Sequence, residues 1–105
     1  MDGNYSPSFD TVGVTSEVYT ANGLTIECCR YGRICMMTIT GSTTSSINQW
    51  SMITTIADKY KSAGTAFFGG SDLVYLNGAG NLAAKVTISS GTYVEATATY
   101  MSRNA

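Results

Sequence analysis

At 105 residues, with 44% hydrophobic and 12% charged positions, the chain is long enough for one domain with its own core and too short for two. Its net charge of −1 and six scattered basic residues exclude the basic stripe of a nucleic-acid-binding surface, and no apolar run approaches the ~20 residues of a membrane span. Histidine is absent, which removes the commonest general base and metal ligand, and with it any Ser-His-Asp or Cys-His arrangement within the chain.

Residues 1–11 are polar, contain the only proline, Pro7, and read as an arm or linker ahead of a single β-sandwich domain at 12–105. The first residues lack the cationic and apolar regions of a secretory signal. Asn4-Tyr5-Ser6 matches a glycosylation sequon, a three-residue pattern with little specificity.

Val12-Gly13-Val14 and Glu17-Val18-Tyr19 suggest a first strand before an Asn22-Gly23 turn. Leu24, Ile26 and Cys28 alternate with polar residues, and a turn at Tyr31-Gly32 leads into a second strand, Arg33 to Thr40, to make a hairpin. Ile34, Cys35, Met36, Met37 and Ile39 make that second strand apolar on both faces, as expected of a strand covered on both sides or lying at a subunit contact. With the turn at Tyr31-Gly32, Cys28 and Cys35 stand opposite each other. They either bridge or, as we prefer for three cysteines clustered in one hairpin, Cys28, Cys29 and Cys35 are reduced, buried small hydrophobes. With no histidine and no second cysteine pair, neither metal nor other cofactor is expected.

Residues 41–46 form a Gly/Ser/Thr loop. Residues 47–60 carry Ile47, Trp50, Ile53, Ile56 and Tyr60 at helical spacing, yet Met52-Ile53-Thr54-Thr55-Ile56 is rich in β-branched residues, which favours a strand from about Trp50 to Ile56. A surface loop at 57–64 and a strand at Thr65-Ala66-Phe67-Phe68, ended by Gly69-Gly70, come next. Residues 73–101 read as a three-stranded antiparallel meander broken at Gly78-Ala79-Gly80-Asn81 and Ser89-Ser90-Gly91. About seven short strands with regular punctuation predict an all-β fold, an antiparallel sandwich of jelly-roll type.

About a quarter of the residues are Ser or Thr, so the surface is polar but almost uncharged, a match for sugars or for other proteins. The candidate ligand residues are Asn48, Gln49, Trp50, Tyr60 and Asp72. Trp50 follows an amide pair where a loop becomes a strand, an arrangement in which an indole stacks on a sugar ring and amides bond its hydroxyls. A lone tryptophan also anchors cores and interfaces, and that reading competes. Tyr60, beside Lys61, and Tyr31, between Arg30 and Arg33, are contact points or plain exposed loop residues; Asp72 bonds a sugar hydroxyl or shapes its own turn. Glu27 and Glu95 are the carboxylates a glycosidase would need, and equally ordinary solvent-facing strand residues paired with Lys85 or Arg30.

The segments Tyr31-Gly32-Arg33-Ile34-Cys35-Met36-Met37-Thr38-Ile39-Thr40-Gly41, Thr55-Ile56-Ala57-Asp58-Lys59-Tyr60-Lys61-Ser62, Val74-Tyr75-Leu76-Asn77-Gly78-Ala79-Gly80-Asn81-Leu82 and Thr97-Ala98-Thr99-Tyr100-Met101 occur in an order that resembles the C-terminal domains of tailed-bacteriophage tail-fibre and baseplate proteins. The resemblance covers about residues 24–101 through short motifs, and departs from the family at Lys61-Ser62, where Arg-Pro is usual. It implies a homotrimeric β-sandwich in a virion tail, folded in bacterial cytoplasm, in contact with other tail proteins and attaching to a host cell-surface saccharide without catalysis. It supplies no ligand constellation that transfers residue by residue. The competing expectations are a virion connector or trimerisation module with no ligand, and a fragment of a carbohydrate-active enzyme.

Overall fold

The computed structural model describes residues 14–104. Its strands are β1 (Val14–Ala21), β2 (Leu24–Tyr31), β3 (Ile34–Ser42), β4 (Met52–Thr54), β5 (Ala66–Phe67), β6 (Gly69–Gly70), β7 (Val74–Leu76), β8 (Leu82–Ala84) and β9 (Tyr93–Met101), with one 3-10 turn at Asp58–Tyr60. They form two antiparallel sheets, ordered β1-β2-β3-β9-β6 and β4-β8-β7-β5. The expected all-β sandwich is present, with nine strands rather than seven. The expected arm and the Asn4-Tyr5-Ser6 sequon lie outside the described residues.

Strict alternation builds the first sheet. Leu24, Ile26 and Cys28 of β2, Cys35, Met37 and Ile39 of β3, and Val94, Ala96 and Ala98 of β9 point inward and are buried. They meet Val74 and Leu76 of β7 and Leu82 and Ala84 of β8 in a single core, closed by Ile47, Ile56, Tyr60, Phe68 and Ile88 from the connections. Side-chain period and burial thus agree along β2, β3 and β9, whereas β1, at the sheet edge, buries none of its residues fully.

Two tight turns fix the register of that sheet. Asn22 and Gly23 both have positive φ, 51° and 81°, the type I′ pattern whose twist matches a hairpin. The Asn22 side chain also accepts hydrogen bonds from the Thr44 and Ser45 amides, each at 2.9 Å, so one residue shapes a turn and fastens the loop after β3. At the second turn only Gly32 has positive φ, 62°, as in a type II′ turn with glycine at its first central position.

The β2–β3 turn therefore lies at Gly32-Arg33, one residue later than the sequence suggested. Every partner moves by two: Cys28 faces Met37, and Cys35 faces Arg30. All three cysteines are free, Cys28 and Cys35 inside and Cys29 exposed, so the expectation of three buried thiols fails for Cys29, which the alternation turns outward.

Short partner strands cut the other elements. The apolar alternation from Leu82 to Ile88 continues, but β8 stops at Ala84, the partner of Val74, and beyond it the Lys85 amide donates to the Leu73 carbonyl at 2.7 Å. Ile88 instead bridges Ile47, and β9 crosses to the other sheet beside β3. The expected three-stranded meander is thus one hairpin plus a crossing strand. Gly69 and Gly70, expected only to end a strand, pair with Thr97 and Ala96 as β6. At Gly70, φ 92°, a Cβ would collide with the Glu95 carbonyl oxygen. Residues 47–57 are not helical, only 52–54 of the expected strand form one, and the 3-10 turn follows at Asp58–Tyr60.

One end of the sandwich is closed by arginine donors on backbone carbonyls. Arg30 donates to the carbonyls of Gly32 (2.6 Å), Lys59 (2.7 Å) and Asn104 (2.8 Å) and to Ser102 Oγ (3.0 Å). Arg33 donates to the Ser102 carbonyl, and Arg103 to those of Ser62 and Gly78. The planar fork of five donors suits such convergent acceptors in a way lysine cannot match.

Tyr60 corrects the expected exposed loop. It is fully buried, its carbonyl accepts from Tyr100 Oη at 2.6 Å, and its own hydroxyl lies buried without a partner among the described residues. Burying an unpaired hydroxyl costs on the order of 1–3 kcal/mol. Tyr60→Phe is therefore expected to raise stability by about 1 kcal/mol in urea unfolding; a loss would show that the hydroxyl is bound. Burial also pushes the Cys28 thiol up to about 12 and raises Cys35. Both should resist thiol reagents at pH 8 until denaturant is added, as a titration with and without urea would register.

Candidate functional site

The outer face of the second sheet carries an exposed aromatic ledge. Met52 pairs with Ala83, Ala83 with Tyr75, and Tyr75 with Phe67, so one lateral row crosses all four strands. The inward neighbours Val74 and Leu76 fix Tyr75 outward by alternation, whereas Ala83, between Leu82 and Ala84, is itself buried. The Phe67 and Tyr75 rings are stacked, 6.3 Å apart and 19° from parallel. Trp50 meets Tyr75 edge-on at 5.8 Å and 86°, forming a wall. Trp50 and Phe67 are each 62% exposed and Met52 is 50% exposed.

Trp50 is held there at a conformational cost. The Ser51 amide donates to the Asn48 carbonyl at 3.0 Å, closing a turn in which Trp50 is the third residue, with φ 70°. That is the position a type II turn ordinarily gives to glycine. The left-handed conformation costs a bulky L-residue about 1–2 kcal/mol. Backbone bonds between Trp50 and Ala84 (2.9 Å) and between Ala84 and Ser51 (2.9 Å) hold the turn against β8. Gln49 adds its amide to Thr87 Oγ1 and its side chain to the Lys85 carbonyl, each at 3.2 Å.

A charged pair borders the ledge. Lys85 Nζ is 2.7 Å from Asp72 Oδ1 and 5.3 Å from the centre of the Phe67 ring. Of the residues singled out in the sequence, Gln49, Trp50 and Asp72 converge here, joined through Lys85. Asn48 is exposed in the same turn. Tyr60 is in the core and is removed from the candidate surface, because its ring completes the packing between the 3-10 turn and the sheets. Sequence reading missed Phe67, Tyr75 and Lys85. The alternation in Val74-Tyr75-Leu76 held the signal, one aromatic outward between two aliphatics.

Trp50 is not the core anchor that its being the only tryptophan also suggested. Glu27 and Glu95 are exposed on the first sheet, but their expected cations are engaged elsewhere, Lys85 with Asp72 and Arg30 with carbonyls. Among the described residues no group of three or more Cys, Asp or Glu side chains is placed to hold a metal ion.

A second surface covers the outer face of the first sheet. Val14, Tyr31, Ile34 and Met101 stand in one row across β1, β2, β3 and β9, with Cys29 and Met36 in the next. Ile34 is 55% exposed and Met36 48%. A shallow groove of about 150 Å³ runs between them, lined by Val14, Cys29, Ile34 and Met36. Toward the other end the rows turn polar, with Glu27, Thr38 and Thr97 and then Thr25, Thr40 and Glu95. The outer face of β3, expected to be covered or to lie at a subunit contact, is thus exposed in the single chain, apolar at Ile34 and Met36 and polar at Thr38 and Thr40.

The chain matches no protein-family model and no curated protein.

The turn geometry predicts the behaviour of Trp50→Gly. Losing a buried tryptophan costs about 3–5 kcal/mol. Here relief of the left-handed strain offsets the lost edge contact and the added chain entropy, so the variant should unfold within about 1 kcal/mol of the parent. Chemical denaturation measures this directly; a loss near the core value would mean that the indole is not on the surface.

Proposed function

We propose that this chain is a non-enzymatic attachment domain of a tailed-bacteriophage fibre or baseplate, which binds a host cell-surface saccharide on the Trp50–Tyr75–Phe67 ledge and works as a homotrimer. The observation that carries the saccharide reading is the exposed indole in a glycine-type turn, edge-on to Tyr75, whose ring in turn lies nearly parallel to that of Phe67. Conformational strain of this kind is retained where the side chain has a use, and Trp50 has none in the core. Pyranose rings present flat C–H faces to aromatics and hydroxyls at their rims, and Gln49, Asp72 and Lys85 supply polar groups at the rim of this ledge.

The phage-tail element rests on the order of the sequence segments, with which the all-β sandwich is consistent. The homotrimer rests on the apolar end of the first sheet, where Val14, Ile34, Met36 and Met101 are large and exposed together. The same surface supports the second reading, a connector or trimerisation module without ligand. A glycosidase reading is weaker: Glu27 and Glu95 are exposed on the flank of the first sheet away from the ledge, and neither lies in an enclosing cleft with the other.

Sedimentation of the protein with host cell walls and polysaccharides tests the binding. The parent should co-sediment, and Trp50→Ala and Tyr75→Ala should each weaken binding tenfold or more while leaving the fold intact, a change of about 1.4 kcal/mol. Binding unchanged in both variants would remove the ledge from the function. Light scattering should give three times the chain mass, and Cys29, in the groove, should be shielded from thiol reagents in the trimer and open in the dissociated chain. A monomer at micromolar concentration would defeat the assembly claim.

A further inference from the structure

The shape of the ledge accepts neutral and anionic sugars alike, so charge must choose between them. Each of the six basic side chains is engaged within the domain. Lys59 pairs with Glu17 at 3.7 Å, Lys61 with Asp58 at 3.2 Å and Lys85 with Asp72 at 2.7 Å. Arg30, Arg33 and Arg103 give their donors to backbone carbonyls. On the ledge itself the ammonium is the shielded member of its pair. The Lys85 side chain is 33% exposed, against Asp72 on one side and the Phe67 face on another, whereas the Asp72 side chain is 68% exposed.

Resting on the saccharide reading above, we propose that the Asp72–Lys85 pair restricts the ledge to uncharged, hydroxyl-rich pyranose units, with Asp72 the specificity-determining residue. An ionised carboxylate only accepts hydrogen bonds, and one lysine donor leaves most of its lone pairs open. A neutral sugar hydroxyl donates to Asp72 and accepts from Lys85, satisfying both members without breaking their bond. A uronate carboxylate, a sulfate or a phosphate meets the more exposed negative charge first and finds the cation already neutralised. Rejection of the wrong ligand by a like charge is the cheaper route to discrimination, since it needs no additional contact with the right one.

The carboxylate also explains why a lysine lies against the Phe67 ring without making the ledge a polyanion site. An ammonium over an aromatic face is a stabilised cation, and without Asp72 it would be the one unpaired positive charge on the ledge. Removing the carboxylate while keeping its shape should therefore convert the surface rather than merely weaken it.

The test compares binding of neutral glucan, mannan and galactan with binding of polygalacturonate, for the parent, Asp72→Asn, Lys85→Gln and the double variant, at low and high salt. The parent should bind at least one neutral polymer ten times or more tighter than polygalacturonate. Asp72→Asn should cut that ratio at least tenfold through a gain in polygalacturonate binding that disappears in 0.5 M salt and in the double variant. A parent that binds neutral and uronate polymers equally, or an Asp72→Asn protein that keeps the parent's ratio, would overturn the charge rule while leaving the ledge as a sugar site. A parent that binds none of the four polymers and no host cell wall would overturn the saccharide reading and this inference with it. Lys85→Gln alone should leave polygalacturonate excluded; if it binds polygalacturonate more tightly than the parent, Asp72 is not the residue that rejects it.

Discussion

Register in the first sheet is the constraint on which both surfaces depend. The Gly32 turn sets β3 against β2, and β9 then sets itself against β3 over nine pairs. Because side chains alternate with period two, a slip of one residue would move Cys35, Met37 and Ile39 to solvent and bring Ile34 and Met36 inside. A left-handed Gly32 admits only the tight connection observed, and the arginine donors on the Gly32, Lys59, Ser102 and Asn104 carbonyls hold the same end closed. Hydrogen bonds from a charged donor contribute about 1.5–3 kcal/mol each. This end of the sandwich is consequently where the long hairpin and the last residues of the described chain are tied together.

Much of this was legible in the residues. Alternation at Leu24-Ile26-Cys28 and at Val94-Ala96-Ala98 identifies inward faces without any coordinates, and Asn22-Gly23 names its own turn type. What was not legible depended on strand partners far away in sequence. Ile88 pairs with Ile47 rather than within β8, and whether Gly69-Gly70 is a breaker or a strand is decided by Thr97 and Ala96 across the sheet. The Gly32 turn was missed by one residue because Tyr31-Gly32 and Gly32-Arg33 put the same residues on each face and differ only in which pairs meet.

The candidate site divides in the same way. Gln49, Trp50 and Asp72 stand out by residue type and neighbours, and the fold does bring them to one surface. Phe67 and Tyr75 are ordinary strand aromatics in the sequence, and become a stacked pair only through the pairing of β5 with β7. Tyr60 looked like a loop aromatic beside a lysine, but a single 3-10 turn is enough to swing it through the loop and into the core. The two exposed regions also lie on opposite outer faces, since each belongs to a different sheet of the sandwich. A protein using the first sheet for self-association would keep the aromatic ledge free.

The position of the indole has a spectroscopic consequence. It is the sole tryptophan, and it stands in solvent while the chain is folded. Its emission therefore starts from a water-exposed state and has little further to move when the chain melts. The same fluorophore would be dried by anything that settles on the ledge, so its colour reports occupancy rather than integrity.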